Sequence, residues 1–187
     1  MPIINREPDI FPEDLLDETE SAVENEPPWW VLYTMSRREK RLMRQLHEWK
    51  ISFYSPLIER RTRSPSGRMR ISHVPLFAGY VFLRGDEEAR HRALTINCIS
   101  RTLPVADPAE LVHDLQQIQQ MIACNAPLSP EARLQPGMKV RVRGGSMSDL
   151  EGVVITRHGQ RRLLVAVNFL QQGVSMLLED FQVERID

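Results

Sequence analysis

The chain has 187 residues, 42% hydrophobic and 26% charged, with a formal net charge of −1, proportions ordinary for a soluble globular protein of one or two domains. No apolar run approaches the ~18–20 residues of a membrane span, and the N-terminus lacks the basic-then-apolar layout of a signal peptide. A cytoplasmic protein without a membrane segment is therefore expected.

The near-zero net charge hides an asymmetry. Residues 1–28 hold nine Asp/Glu against the single Arg6, whereas residues 29–73 hold eleven Lys/Arg against three Glu. The leader 1–28 combines few large apolar residues, repeated prolines and strong negative charge, so disorder is expected there. Such a leader either solubilises the chain or folds back on the basic surface and competes with a polyanion.

Order is expected to begin at Trp29. "WWVLYT" has the β-branched and aromatic content of a strand. Ser36 with Glu39 three residues on has capping-box spacing, predicting a helix to about Lys50. Leu42, Leu46 and Trp49 would face its core, leaving Arg37, Arg41 and Arg44 as a basic stripe. "ISFYSPLIERRTR" reads as a strand running into a basic hairpin, "RRTRSPSGRMR", turned by Ser-Pro-Ser-Gly.

"HVPLFAGYVFLRG", residues 73–85, reads as the returning strand. It lacks the alternation of a half-buried strand, so both of its faces call for a cover. A short helix over "DEEARHRALTI" and a strand over "SRTLPV" follow. Asp107 and Pro108 open a helix whose Leu111, Leu115, Ile118 and Ile122 form one apolar face. The first region is thus an α+β sandwich, an antiparallel sheet with helices.

"NAPLSPEARLQPG" is a Pro-rich stretch. Beyond it, "MKVRVRG", "EGVVITR", "RLLVAVNF", "GVSMLLE" and "FQVERI" are short alternating segments about ten residues apart, the spacing of a small all-β barrel. The expected organisation is a leader at 1–28, an α+β domain at 29–124, a linker at 125–134 and an all-β domain at 135–187.

In that order and spacing, "WWVLYT", "VPLFAGYVFL" and the block from "LQPGMKVRVRGG" to "FQVERI" resemble the NusG family of transcription elongation factors. Those proteins join a NusG amino-terminal domain to a KOW domain, a small SH3-like barrel. The resemblance covers residues 29–187. It implies that the strand around "PLFAGYVF" lines a depression for the clamp coiled coil of RNA polymerase's largest subunit. By position, Tyr33, Phe77, Tyr80 and Phe82 become polymerase-contact candidates, although Ala78 stands where the family's usual Pro precedes the Gly. Period 2 prevents Phe77 from sharing a face with both Tyr80 and Phe82, so a division between core and surface rings is expected.

The sequence leans towards the specialised, RfaH-like paralogues that serve particular operons. "SRREKRLMRQLHEWKISFYSPLI" aligns without a gap on the helix and strand through which such proteins contact exposed non-template DNA. "LTIN" (94–97) is similar to their segment beside DNA and the polymerase gate loop, which nominates Thr95 for DNA and Ile96 for polymerase. Arg92-Ala93-Leu94 departs from the gate-loop motif. Arg37, Arg38, Arg41 and Arg44, with Arg60, Arg61 and Arg63 of the basic hairpin, are the nucleic-acid candidates. Arginines of this kind supply affinity and salt dependence without choosing a sequence.

In the KOW region Gly152 occupies the motif's diagnostic glycine, where a turn or bulge requires a backbone without Cβ. Phe169 and Leu170 match the family's docking edge for Rho or a small-subunit ribosomal protein. The Gly and Arg usual there are absent, which argues against Rho and leaves ribosomal coupling open. Modulation of pausing or termination, including antitermination, is the function this resemblance implies, for a monomer without cofactor or metal.

Enzymatic function is not expected. The five histidines (His47, His73, His91, His113, His158) have neither metal-ligand spacing nor a nucleophile–base grouping. Cys98 and Cys124 are isolated and form no CxxC. The rival reading is an RNA- or ribosome-binding KOW module that does not bind polymerase, which leaves the aromatic strand of the first region without a task.

Overall fold

The computed structural model describes residues 7–17, 26–133, 135–178 and 182–186. The chain divides into two compact units, Met1–Pro108 and Ala109–Asp187.

The first unit contains β1 (Ile10–Phe11), β2 (Trp29–Thr34), α1 (Glu39–Glu48), β3 (Ser52–Tyr54), β4 (Leu57–Arg63), β5 (Met69–Pro75), β6 (Tyr80–Arg84), α2 (Glu87–Leu94) and β7 (Ile99–Pro104). Five of the strands form one sheet in the order β1-β3-β6-β2-β7, with every pair antiparallel. β4 and β5 form a separate two-stranded ribbon. The expected α+β class is observed.

Register sorts the side chains of the sheet. Leu32 lies opposite Val81, and Leu83 lies opposite both Trp30 and Phe53. Leu32, Phe53, Val81 and Leu83 pack with Leu42, Met43 and Leu46 of α1 in one buried cluster under the helices. On the opposite face Val31 lies beside Phe82, Phe82 beside Tyr54, and Tyr33 beside Tyr80. Alternation along each strand makes these two separate layers.

Three expectations change. "HVPLFAGYVFLRG" is not one strand: β5 ends at Pro75, Leu76–Gly79 turn, and β6 begins at Tyr80. α1 begins after Arg38, later than a Ser36 cap requires, and no side chain caps it; the buried Glu39 carboxylate accepts a hydrogen bond from Gly79 N at 2.7 Å. Order does not begin at Trp29. Of the leader, residues 1–6 and 18–25 lie outside the described residues, but Ile10 and Phe11 pair with Tyr54 and Phe53, and Leu15 and Leu16 are 4% and 1% exposed. Four large apolar residues within eight positions outweigh the local acidity.

The two compact units do not coincide with the expected segments. α3 (Pro108–Ala123), expected to complete the first region, falls almost wholly in the second unit. Its buried row is Leu111, Leu115, Ile118 and Met121, with Ile122 only half-buried. β8 (Ser129–Glu131) lies within the expected linker and pairs with β12. The rest of the unit is β9 (Met138–Arg143), β10 (Glu151–Arg157), β11 (Gln160–Val167), β12 (Gln172–Leu177) and β13 (Gln182–Arg185). These make one antiparallel sheet in the order β13-β9-β10-β11-β12-β8, an all-β arrangement as expected.

Candidate interaction surface

The turn before β6 is held from two directions. Gly79 N donates to Glu39, and Gly79 O accepts from Thr34 N at 2.7 Å, which fastens the turn to α1 and to the end of β2. Gly79 has φ +86°, and a Cβ there would lie 3.2 Å from Cε2 of Tyr33. The glycine therefore serves both the backbone conformation and a close approach. What approaches is the chain's own Tyr33 ring.

With the turn fixed, Tyr33 and Tyr80 stand side by side on the sheet's second face, ring centroids 5.2 Å apart and planes inclined by 53°. The Arg101 guanidinium, on the strand paired with β2, lies 6.0 Å from the Tyr33 ring centroid. Tyr33 is 37% exposed, the neighbouring Met35 is 49% exposed, and Tyr80 is half-buried. Large rigid rings with accessible edges and a flanking arginine are what a protein partner's hot spot uses.

The other polymerase candidates are placed differently. Phe82 is fully buried in the same face, and Phe77 is buried in the turn at 2% exposure. Ile96 is a member of the cluster under the helices, so packing accounts for it. Of the five, only Tyr33 and Tyr80 are brought together at the surface. Sequence reasoning missed Arg101, Met35 and the Glu39–Gly79 bond. Arg101 opposite Tyr33 follows from sheet register, which no local pattern in "SRTLPV" announces.

The nucleic-acid candidates lie on three elements. Arg37, Arg38, Arg41 and Arg44 are all exposed at and along α1, and Arg44 donates to Glu7 of the leader at 2.9 Å. Thr95, also exposed, turns its hydroxyl onto Arg92 O at 2.7 Å. In the β4–β5 ribbon Arg61 and Arg63 lie opposite Ile71 and Met69, while Arg60 lies opposite Ser72 and therefore points to the other side. The ribbon is basic on both faces. It also exposes Met69 and Ile71, at 56% and 60%.

In the second unit, Gly152 lies within β10 rather than at a turn. A Cβ there would meet Leu164 O at 2.6 Å, so close cross-strand approach explains the glycine. Phe169, 37% exposed, and the half-buried Leu170 lie in a single 3-10 turn between β11 and β12. α3 binds the start of that turn. Asp114 and Glu110 accept from Asn168 N and Nδ2 at 2.8 and 3.0 Å, Gln117 accepts from Glu151 N at 2.7 Å, and Gln120 Nε2 donates to Ser148 O at 3.1 Å. The helix's polar positions thus pair with backbone and side-chain groups of the sheet's loops.

Burial pushes the Asp114 carboxyl up to about 6, against the opposing pull of the Asn168 N–H. The folded state then holds its proton where the unfolded state has lost it. Stability from this group is present below its unfolded value and declines as pH rises towards 6. We expect the melting temperature of the wild-type protein minus that of Asp114→Asn to fall between about pH 4 and 6 and to level off above. Thermal unfolding of both proteins at matched pH values reads this directly; a constant difference removes the assignment.

A cleft of about 410 Å³ opens in the second unit beside Arg157, His158 and Arg162. Arg157 is bound to Glu131 at 2.7 Å and Arg162 to Ser129 and Ser175 at 2.9 and 2.8 Å, so these cations brace β8 onto the sheet. Among the described residues, no cluster of His, Cys, Asp or Glu suits a metal ion, and no helix is long and apolar enough to cross a membrane.

No individually curated protein matches the chain. Residues 27–122, just over half of it, match the family described as NusG, Transcription termination factor nusG. The matched segment begins just before β2 and runs into the last turn of α3, so it contains the tyrosine pair, the basic helix and the ribbon. The chain therefore belongs to the NusG family, non-enzymatic transcription elongation and termination factors that bind RNA polymerase.

Proposed function

We propose that this chain is a specialised, RfaH-like elongation factor that grips the clamp coiled coil of RNA polymerase's largest subunit through the Tyr33–Tyr80 face. The observation that carries this reading is the tyrosine pair, Tyr33 exposed and Tyr80 half-buried, held by the Glu39–Gly79 bond and flanked by Arg101. Arg37, Arg38, Arg41, Arg44 and Thr95, with Arg60, Arg61 and Arg63 of the ribbon, contact non-template DNA in the elongation complex. The second unit acts as a KOW domain: β9 to β12 follow one another in the sheet and β13 returns beside β9, an order that suits an SH3-like barrel. Phe169 and Leu170 offer its edge to a small-subunit ribosomal protein in preference to Rho. The factor works in the cytoplasm as a monomer.

The test is terminator run-through by RNA polymerase with and without the full chain. Increased run-through with co-purification of polymerase is the expected result. Binding to ribosomes or RNA with no binding to polymerase selects the rival KOW-module reading. The DNA assignment has its own measurement. Replacing Arg37, Arg41 and Arg44 with Gln is expected to flatten the slope of log affinity against log salt for single-stranded DNA, by roughly 0.7 for each phosphate no longer neutralised. An unchanged slope excludes the helix.

A further inference from the structure

The leader is attached in three ways. Ser55 N donates to Asp9 O at 2.7 Å, and Ile10 and Phe11 extend the sheet beyond β3. Glu7 pairs with Arg44 at 2.9 Å, and Phe11 meets the basic helix edge-on at His47, centroids 5.3 Å apart, with Lys50 Nζ 5.1 Å from its ring centroid. Then Leu15 and Leu16 become buried, yet neither belongs to the cluster under the helices, although Phe11 packs against that cluster.

Register gives the direction in which the strap leaves the sheet. β1 runs from opposite Tyr54 towards the row Ser52, Arg84 and Trp29 at the end of the sheet. The buried residues of the second face near that end are Tyr54, Phe82, Val31 and Trp29, all at or below 3% exposure. The opposite end, with Tyr33 and Tyr80, stays accessible.

We propose that residues 7–17 form a self-docked strap that caps one end of the second face with Leu15 and Leu16 while occupying Arg44, and that a partner reaching Phe82 and Val31 must first displace it. Regarding the partner as the polymerase coiled coil rests on the function proposed above. The strap thereby couples two surfaces, because its release frees an arginine of the basic stripe and apolar area of the sheet in one event. The acidic side chains around the leucines keep the freed strap soluble.

The test uses the full chain carrying Leu15→Asp and Leu16→Asp. In the wild-type protein the Ser55 amide is expected to resist hydrogen exchange. In the double variant it is expected to lose that protection while the β2–β6 amides keep theirs, and polymerase affinity is expected to rise about tenfold. An unprotected wild-type Ser55 amide, or a released strap with unchanged or weaker polymerase affinity, overturns the proposal. If neither protein binds polymerase, the functional reading fails and the strap is judged by anilinonaphthalene sulfonate fluorescence. A rise on release supports the mask, and no rise overturns it. Should the double variant lose protection throughout β2–β6, Leu16→Ala carries the same comparison.

Discussion

Tyr33→Ala and Tyr80→Ala together are expected to weaken binding to RNA polymerase by ten- to a hundredfold while leaving the fold intact. Truncation at an interface hot spot costs about 2 kcal/mol or more, and each 1.4 kcal/mol is a factor of ten. Neither ring belongs to the buried core, Tyr33 being exposed and Tyr80 half-buried, so their removal disturbs little of it. The effects of the pair are expected to be non-additive, because the rings touch and each helps to orient the other. A polymerase titration of the single and double variants, with far-ultraviolet circular dichroism as the fold control, checks this. Wild-type affinity in the double variant excludes the patch.

Phe82→Ala is expected to do the reverse. The side chain is fully buried between Val31 and Tyr54, and removing a buried Phe costs about 3–5 kcal/mol. That is a large part of the ~5–15 kcal/mol by which a domain is stable, so denaturant unfolding should show an early transition. The contrast between Tyr80 and Phe82 matters, because they are two residues apart on the same face and differ in what lies above them. A stable Phe82→Ala protein with impaired polymerase binding would return Phe82 to the contact surface.

Much of the first unit is legible locally. Trp29–Thr34 and Tyr80–Arg84 carry strand composition, and Leu42 with Leu46 marks the buried side of α1. Arg41 and Arg44 follow from helical spacing, whereas Arg37 precedes α1 with φ +60°. The illegible features all depend on distant pairing. Ile10 and Phe11 look like part of a polar leader until the free edge of β3 is present to take them. Glu39 resembles half of a capping box, and only the folded chain brings the Gly79 N–H to it. Leu111, Leu115 and Ile118 announce an amphipathic helix, but periodicity does not say which sheet it serves. Charge composition misjudged the leader because it averages over a segment, whereas burial depends on a few side chains.

The attachment of α3 affects how this protein can be dissected. The family match ends at residue 122, inside the last turn of α3, which suggests a cut there. Such a cut takes from the second fragment the acceptors of Asn168 N and Glu151 N and the helix with its buried leucine row. Each backbone donor stripped of its partner and not rehydrated costs about 1–3 kcal/mol. A carboxy-terminal piece made that way would be a damaged molecule, and its failure to recruit a ribosomal protein would be uninformative. A second fragment that begins at Ala109 keeps the helix with the sheet whose loops it binds.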